Sequence, residues 1–344
     1  TAEELKNRPG QSIAAILNTV AGVEINGNQS AAGKNFGYYI RGGKNSQVLI
    51  LIDGIPVNDA SGISMEYDLR LLPAEQVESI EIMKGAASTL YGTGAATGVI
   101  NIKLKKSGKK TMSGNGYFSV GTNATATQQN QKASDFNQGF SVNGRTTKLT
   151  YFAAFNSTET KGISQIAPPN SNVHYEEDPF SRLNYLAKVG YAVTDKLTLD
   201  FGIRYADTKT KGGGANEQNE KSSSDSRLKY AMIYPTFPVG DLTDNDLTDP
   251  AFNLYNPIDA INDNDQYIHR KTYNFNGALN YDIIKGLRLR SEVGYDGYKN
   301  DQDRFYGRTT YFVINNVPNY PGLPAVVYTN TTRNAIRNTN TLSY

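Results

Sequence analysis

Beyond residue 111, apolar and polar residues alternate along the chain with a period of two. In residues 196–206 one side carries Leu197, Leu199, Phe201, Ile203 and Tyr205, and the other carries Lys196, Thr198, Asp200, Gly202 and Arg204. Successive side chains of a β-strand point to opposite faces of the sheet. The segment is therefore predicted to be a strand with one apolar and one polar face.

The same alternation recurs in other segments beyond residue 111. It covers residues 136–142, 149–155, 183–193, 273–283 and 287–296. We expect about seven full strands, with the start of another over residues 338–344.

The connections between these strands differ in length in a regular way. Tight reversals are predicted at 143–147, 194–195 and 285–286. Long polar links are predicted at 122–135, 159–179, 209–268 and 300–334. Short and long connections alternate, which places them at opposite ends of the strands, as in outer-membrane barrels.

Residues 1–106 follow a different pattern. Apolar residues at helical spacing predict a short amphipathic helix in 11–20, and the continuous apolar run 48–52 predicts a strand covered on both faces. Residues 77–105 predict a strand, a helical turn at 86–90, a glycine-rich reversal and a second strand, and residues 66–72 predict another short helix. We therefore divide the chain into a small α+β domain, 1–106, and a strand-rich domain, 107–344.

Composition narrows the class of protein. The chain has 344 residues, 23 Tyr, 32 Gly and no Trp, with a mean hydropathy of −0.51. No run approaches the ~20 apolar residues that a membrane-spanning helix needs. Strands that alternate lipid-facing and lumen-facing residues keep the average hydrophilic, and tyrosine suits the aromatic girdles of transmembrane barrels.

Charge and reactive residues exclude several functions. A net charge of +2 gives no basic field for nucleic acid, and the absence of cysteine excludes disulfides and thiolate metal sites. The two histidines fall in unrelated contexts, so neither a catalytic triad nor an enzyme is expected. The sequence predicts no cofactor and no metal.

Two other patterns resemble binding motifs only superficially. The glycines at 92, 94 and 98 lack the G-x-G-x-x-G spacing and precede a strand rather than a helix. The aspartates between 241 and 265 lack the central glycine and terminal glutamate of an EF-hand. A solvated loop is the preferred interpretation of these aspartates.

Three short motifs in the first 106 residues resemble those of one family. They are Ile40-Arg41-Gly42, the run VLILIDGIPV at 48–57, and VESIEIMKG at 77–85 followed by Leu-Tyr-Gly and Gly-Val-Ile-Asn-Ile. In this order they are similar to the plug of TonB-dependent outer-membrane receptors. The resemblance is close over 1–106, while the remainder matches through its strand pattern.

The resemblance implies a fold and a location. It implies an α+β plug followed by antiparallel transmembrane β-barrel strands in the outer membrane of a Gram-negative bacterium. Receptors with a plugged lumen have ~22 strands, and about eight strands would be filled by their own side chains. We therefore expect the chain to be a fragment of a larger barrel.

The resemblance also implies a function. Such receptors import a scarce or bulky nutrient, driven by the proton-motive force through the TonB–ExbB–ExbD complex, which pairs with a segment not recognised in residues 1–7. Siderophore, cobalamin, oligosaccharide and peptide remain open as substrates. The implied partners include outer-membrane lipid and, for a receptor of the Bacteroidota type, a SusD-like surface lipoprotein. Gly85 stands where the SusC-like branch usually has Asp, which weakens an oligosaccharide assignment. The alternative is a non-transporting homologue that serves as a structural subunit.

The predicted site residues belong to two groups. Arg41, Glu78 and Glu81 lie within the matched motifs and are candidates for ion pairs that attach the plug to the barrel. The candidates for facing a ligand are Asn58, Asp59, Tyr234, Phe237, Tyr255 and Tyr267.

Overall fold

The computed structural model describes residues 5, 12–26, 37–57, 69, 72–86, 91, 94–105, 110–122, 133–162, 179–212, 264–307 and 323–344. Within these ranges the strands form two structures, which we call the small unit and the large sheet. The small unit contains helix α1 and strands β1–β6, and the large sheet contains strands β7–β14. The predicted boundary at residue 106 falls between them, outside the described residues, and remains a prediction.

The small unit begins with α1 (Ile13–Asn18). The hydroxyl of Ser12 accepts the N–H of Ala15 at 3.1 Å, which caps the N-terminus of this short helix. Strands β1 (Val23–Asn26) and β2 (Gly37–Ile40) pair antiparallel. Ile13 and Leu17 of the helix pack into the same buried cluster as Val23 and Ile40. The amphipathic helix predicted from the sequence is confirmed.

A four-stranded sheet forms the centre of the small unit. Its order is β4 (Ile55–Pro56), β3 (Val48–Ile52), β6 (Gly98–Leu104), β5 (Val77–Lys84), with β3 parallel to β6 and the other pairs antiparallel. All five residues of β3 are buried, as the apolar run predicts. Short 3-10 turns at Asn45–Gln47 and Ala74–Gln76 lead into β3 and β5.

One glycine of this sheet is required by close packing. A Cβ atom on Gly98 would lie 2.7 Å from both the Cδ1 atom of Ile40 and the main-chain oxygen of Met83. The backbone of β6 therefore approaches its neighbours at a distance that only glycine permits.

The large sheet contains eight antiparallel strands in chain order, with β7 and β14 at its edges and each of the other six paired with the strands before and after it. The strands are β7 (Ser113–Gly121), β8 (Asp135–Arg145), β9 (Leu149–Thr160), β10 (Phe180–Ala192), β11 (Leu197–Gly212), β12 (Asn264–Ile284), β13 (Leu287–Tyr306) and β14 (Ala325–Ser343). Turns separate β8 from β9, β10 from β11 and β12 from β13, while the other connections are long. We call the end with the long connections the outer end.

The two faces of the large sheet meet different surroundings. Phe152 and Leu186 pack into the core cluster of the small unit, and we call their side of the sheet the inner face. The opposite, outer face exposes Tyr185, Phe201 and Ile203. The alternation predicted for β10 and β11 is therefore confirmed. In the part of the chain that the structure describes, no helix has the length and apolar character needed to cross a membrane.

Several strands are longer than the sequence predicts. Strand β11 continues to Gly212 and β12 begins at Asn264, so both ends of the predicted 209–268 link are strand. Strand β14 begins at Ala325, whereas the sequence predicts its start at residue 338. Its many Asn and Thr residues hide the alternation, but its backbone pairs with β13 from Ala325 to Ser343. The predicted helical segments 66–72 and 86–90 lie almost wholly outside the described residues.

Candidate functional site

The small unit contacts the large sheet at the turn between β3 and β4. Asp53 and Gly54 form this two-residue turn, with φ angles of +53° and +85°. Positive φ at both central residues is the requirement of a type I′ hairpin turn, and Asp-Gly is among its preferred sequences. The closing pair is Ile52 with Ile55. The local sequence therefore places the Asp53 carboxylate at the tip of a buried strand.

Both carboxylate oxygens of Asp53 have defined partners. Oδ1 accepts the main-chain N–H of Leu104 at 2.9 Å. This donor lies two residues beyond Ile102, the last β6 residue that pairs with β3. Oδ2 forms an ion pair with the Nζ atom of Lys188 on β10. One side chain therefore joins the central sheet of the small unit to the inner face of the large sheet.

The ion pair is partly shielded from solvent. The Asp53 and Lys188 side chains keep about a quarter or less of their surface exposed, 25% and 21% respectively. Leu186 lies two residues before Lys188 on the same face, and Phe152 is the cross-strand neighbour of Lys188. Leu186 and Phe152 are almost fully buried in the core cluster that contains Ile52 and Leu104. Burying such side chains contributes ~1.5–3 kcal/mol each.

A polar cavity of about 400 Å³ adjoins this contact, between the small unit and the large sheet. Six charged residues line it, three of each sign: Lys103, Lys188, Arg290, Asp53, Asp200 and Glu292. Arg290 contacts Glu292 at 2.5 Å and Asp200 at 3.9 Å. At ~30 Å³ per molecule, the volume would accommodate on the order of ten waters. The contact is therefore part apolar and part polar.

Glu81, one of the three predicted attachment residues, lies behind this cavity. Its Oε1 contacts Lys103 Nζ at 2.5 Å, and its Oε2 accepts from Asn101 at 3.2 Å. The hydrogen bond from Lys103 lowers the pKa of the Glu81 carboxyl below its usual value, and the same bond raises the pKa of Lys103. Both partners belong to the small unit, but Lys103 and Asn101 also line the cavity.

The other predicted attachment residues lie elsewhere on the small unit. Arg41 occupies the turn after β2 with φ +50°, and Glu78 is exposed on β5. A role for Arg41, Glu78 or Glu81 at the large sheet remains a prediction. Asp53 lies within the matched motif at 48–57, but the sequence analysis did not select it, and it missed Lys188.

One predicted ligand-facing residue, Tyr267, is described. It lies near the outer end of β12, with 37% of its surface exposed. Its cross-strand partner is Lys211, which places both on the outer face with Tyr205 and Tyr273. Asn58, Asp59, Tyr234, Phe237 and Tyr255 lie outside the described residues. The ligand-facing role of all six remains a prediction, as does the loop interpretation of the aspartates from 241 to 263. Asp265 lies in β12, where it pairs with Phe305, so the loop interpretation is wrong for that residue.

A family model describes the first part of the chain. Residues 1–99 match the TonB-dependent Receptor Plug Domain. These residues include α1, β1–β5 and the start of β6, and they contain the Asp53-Gly54 turn.

Curated relatives extend the match into the large sheet. The chain is 34% identical over 172 residues to a ferric enterobactin receptor of Pseudomonas aeruginosa, covering 46% of this chain and 22% of that protein. It is 29% identical over 219 residues to the vitamin B12 transporter BtuB of Vibrio vulnificus, covering 62% of this chain and 33% of that protein. The matched regions thus span a third or less of these two relatives.

Solved structures match nearly the whole chain in fold. A ferric enterobactin receptor mutant from Pseudomonas aeruginosa superposes with a TM-score of 0.62 at 21% identity, covering 98% of this chain and 45% of that one. The RagAB peptide importer gives a TM-score of 0.63 at 15% identity, covering 99% and 44%. These relatives and structures are receptors, a transporter and an importer. Residues 1–99 are therefore a TonB-dependent receptor plug domain, and the chain as a whole has the fold of the TonB-dependent receptors that it matches.

Proposed function

We propose that the chain is the plug and part of the barrel wall of a receptor that imports a nutrient across the outer membrane. The energy comes from the proton-motive force through the TonB–ExbB–ExbD complex, which engages the receptor by strand addition. A ferric siderophore is the first candidate substrate, because relatives with 34% and 36% identity are named as ferric enterobactin and ferrienterobactin receptors. Cobalamin is the second, from the B12 transporter. Oligosaccharide and peptide follow.

One structural observation carries the proposal. The small unit has its own buried core, yet its described contact with the large sheet combines one ion pair, two large apolar side chains and a charged cavity. A partly exposed ion pair contributes only modestly, on the order of 1 kcal/mol. A unit that keeps its own fold and meets the barrel wall through a partly polar contact is suited to closing a barrel and moving when pulled.

The first experiment tests whether this movement is needed. The 344 residues contain no cysteine. Asp53→Cys with Lys188→Cys therefore introduces two thiols that a short bifunctional, reducible thiosulfonate reagent can join. Any cysteine of the full receptor outside these 344 residues is replaced by serine. Uptake of labelled ferric siderophore or cobalamin is measured in cells that lack other receptors. We expect uptake to be lost after cross-linking and to return when a reductant cleaves the link.

A matched control uses a pair within the small unit. Glu24→Cys with Tyr39→Cys joins β1 to β2, where the two residues are cross-strand partners, so the link does not connect the small unit to the large sheet. We expect this cross-linked receptor to transport normally. Transport at an unchanged rate by the receptor linked through positions 53 and 188 would contradict the proposal.

A second measurement addresses the energy source and the partners. Uptake should fall to background when a protonophore is added or when TonB is absent. Binding without uptake under every condition would instead support the structural-subunit alternative. A surface lipoprotein is a further proposed partner, and co-purification with the full receptor tests it.

A further inference from the structure

Lys188 lies in a row of residues that crosses the inner face of the large sheet. Gly202 on β11 is its cross-strand partner, and Asn276 on β12 is the partner of Gly202. The Cα atoms of Lys188 and Asn276 are therefore about 10 Å apart, two strand spacings. Asp53, Lys188, Gly202 and Asn276 all line both the polar cavity and a smaller cavity of about 50 Å³. Asn276 therefore lies beside the Asp53–Lys188 pair.

Two glycines of the inner face leave space for polar side chains of the next strand. The amide oxygen of Asn276 occupies the space that a Cβ atom on Gly202 would take. Similarly, the Oδ1 atom of Asp200 lies 2.9 Å from the position that a Cβ atom on Gly190 would take. Gly190 follows Lys188 by two residues on the same face of β10. One oxygen acceptor is therefore held beside Lys188, and a second lies beyond it toward the short turns.

These two acceptors have unused capacity for hydrogen bonds. Within the part of the chain that the structure describes, the side-chain amide of Asn276 has no hydrogen-bond partner. Asp200 uses its Oδ2 atom, which accepts from Asn280 at 2.8 Å and lies 3.9 Å from Arg290. Its Oδ1 atom accepts no hydrogen bond from the described residues. Both side chains can therefore accept from an ammonium group without losing a described partner.

Lys188 needs such an acceptor when the small unit moves. Asp53 leaves with the small unit, and only 21% of the Lys188 side chain is exposed in the attached state. A charge that loses its partner while it is shielded from water is costly. The cost arises at the start of the movement, before water replaces the small unit. The lysine side chain is flexible, so its ammonium group can turn toward acceptors on the large sheet.

We propose that Lys188 exchanges Asp53 for Asn276 and Asp200 as the small unit begins to separate from the large sheet. The inner face then supplies the second partner of its own cation. Asn276 and Asp200 are positioning residues that lower the cost of separation. Asn276 is neutral and Asp200 is shared with Arg290, so neither displaces Asp53 in the attached state. The inference rests on the proposed function, because it describes how the plug leaves the barrel wall.

Thiol labelling of the purified full receptor provides the test. Leu186→Cys places a thiol in the contact, at a position that is 3% exposed, in a chain without other cysteines. Iodoacetamide reaches this thiol when the small unit separates, so the labelling rate reports the population of the separated state. Every variant carries Leu186→Cys, so its own effect cancels. Any cysteine outside these 344 residues is replaced by serine.

Substitutions of Asn276 should change the rate in opposite directions. Asn276→Leu keeps a similar volume but removes the acceptor, so labelling should slow about fivefold. Asn276→Asp offers Lys188 a second carboxylate beside Asp53, so labelling should become about fivefold faster. A side chain that only stabilised the attached state would give faster labelling when replaced by leucine. Faster or unchanged labelling of Asn276→Leu would therefore overturn the proposal.

The matched control is another asparagine of the inner face. Asn115 on β7 pairs with Ser141, which pairs with Ala154 at the core cluster, and it lines neither cavity. Asn115→Leu and Asn115→Asp should each keep the labelling rate within about twofold. Changes as large as those at Asn276 would overturn the proposal in favour of a general effect of polarity on the inner face.

A second background shows whether Asn276 acts through Lys188. In a receptor with Lys188→Met, adding Asn276→Leu should alter the labelling rate by less than about twofold. A slowing that persists without Lys188 would overturn the proposal. Heat-modifiable migration on a gel verifies that each variant forms a barrel. The labelling requires neither TonB nor a substrate, so failure of the receptor to import any tested nutrient would leave this measurement unaffected.

Discussion

The small unit and the large sheet bury their apolar residues in different ways. In the small unit, β3 is buried on both faces, and Ile100 and Ile102 of the neighbouring strand have no exposed surface. In the large sheet, Ile203 and Phe201 leave about half of their surface exposed on the outer face. The small unit therefore has a core like that of a water-soluble protein, in which side chains cover both faces of the strand. In the large sheet, lipid instead of protein covers the outer face. The same residue types therefore have different energetic roles in the two regions.

The largest difference should appear when equivalent isoleucines are shortened. Ile100→Ala removes a fully buried side chain and should destabilise the small unit by ~2–5 kcal/mol. Ile203→Ala, on the lipid-facing side, leaves no protein cavity of that kind and should cost about 1 kcal/mol or less. Urea-dependent proteolysis of the small unit in the intact receptor measures the first effect, and the midpoint of barrel unfolding measures the second. Equal costs would contradict the distinction.

The second-largest difference should appear when a glycine in each region is replaced by alanine. Gly98→Ala places a methyl group 2.7 Å from the main-chain oxygen of Met83, so we expect a loss of ~1–3 kcal/mol in the small unit. Gly294→Ala on β13 is the control, because its new Cβ would meet nothing closer than 4.0 Å. The same two unfolding assays apply. A neutral Gly98→Ala variant would show that β6 can move away from β5 without loss.

Loss of the ion pair between the regions should have a smaller effect. Lys188→Met leaves Asp53 hydrogen bonded to Leu104 but without its cation, and we expect attachment of the small unit to weaken by about 1–2 kcal/mol. Asp53→Asn keeps an oxygen for Leu104 and should weaken it by a similar or smaller amount. Hydrogen exchange at the contact is measured in the unmodified receptor, in the two single variants and in the double variant. This double-mutant cycle gives the interaction free energy between Asp53 and Lys188. Strict additivity of the two substitutions would show that the pair contributes nothing.

The smallest effect should be the loss of stability of the small unit at low pH. The pKa of Glu81 is lowered below its ordinary value of 4.5 by Lys103, so the pair stabilises the small unit above that pH. The stabilisation should disappear as the pH falls through the lowered pKa. The raised pKa of Lys103 places the opposite loss above pH 10.5. Glu81→Gln and Lys103→Gln should each flatten the acid side of the stability profile equally. An unchanged acid limb in both would show that solvent screens the pair completely.

The sequence predicts elements where a period or a continuous run dominates. The apolar run of β3 predicts that its side chains are buried, and the alternation in β10 and β11 predicts which face of the sheet each side chain occupies. Both patterns can be recognised because they involve only residues that are neighbours in the chain. Strand β14 was predicted too short, since residues such as Asn330 and Thr331 carry no apolar period and are ordered by pairing with β13. Backbone pairing can therefore extend a strand where side chains give no signal.

The site was less accessible to sequence reasoning than the fold. Asp53 and Lys188 are far apart in the chain, and neither residue is unusual in its local context. One signal was present: an Asp-Gly turn directly after a strand buried on both faces places a carboxylate where it must find a partner. Lys188 gives a second signal, because it is a cation on the polar face of a predicted barrel strand and could pair with such a carboxylate. Pairing the two requires the three-dimensional arrangement of the two regions.

The parallel pairing of β3 with β6 has a consequence for the order of folding. Val48 pairs with Gly98, and the segment between them includes β4 and β5. The central sheet of the small unit therefore has high contact order and cannot be completed until its last strand is available. Each strand of the large sheet from β8 to β14 pairs with the strand just before it, which requires mainly local closure. We expect the hairpins of the large sheet to form quickly, and the small unit to fold in one late, cooperative step.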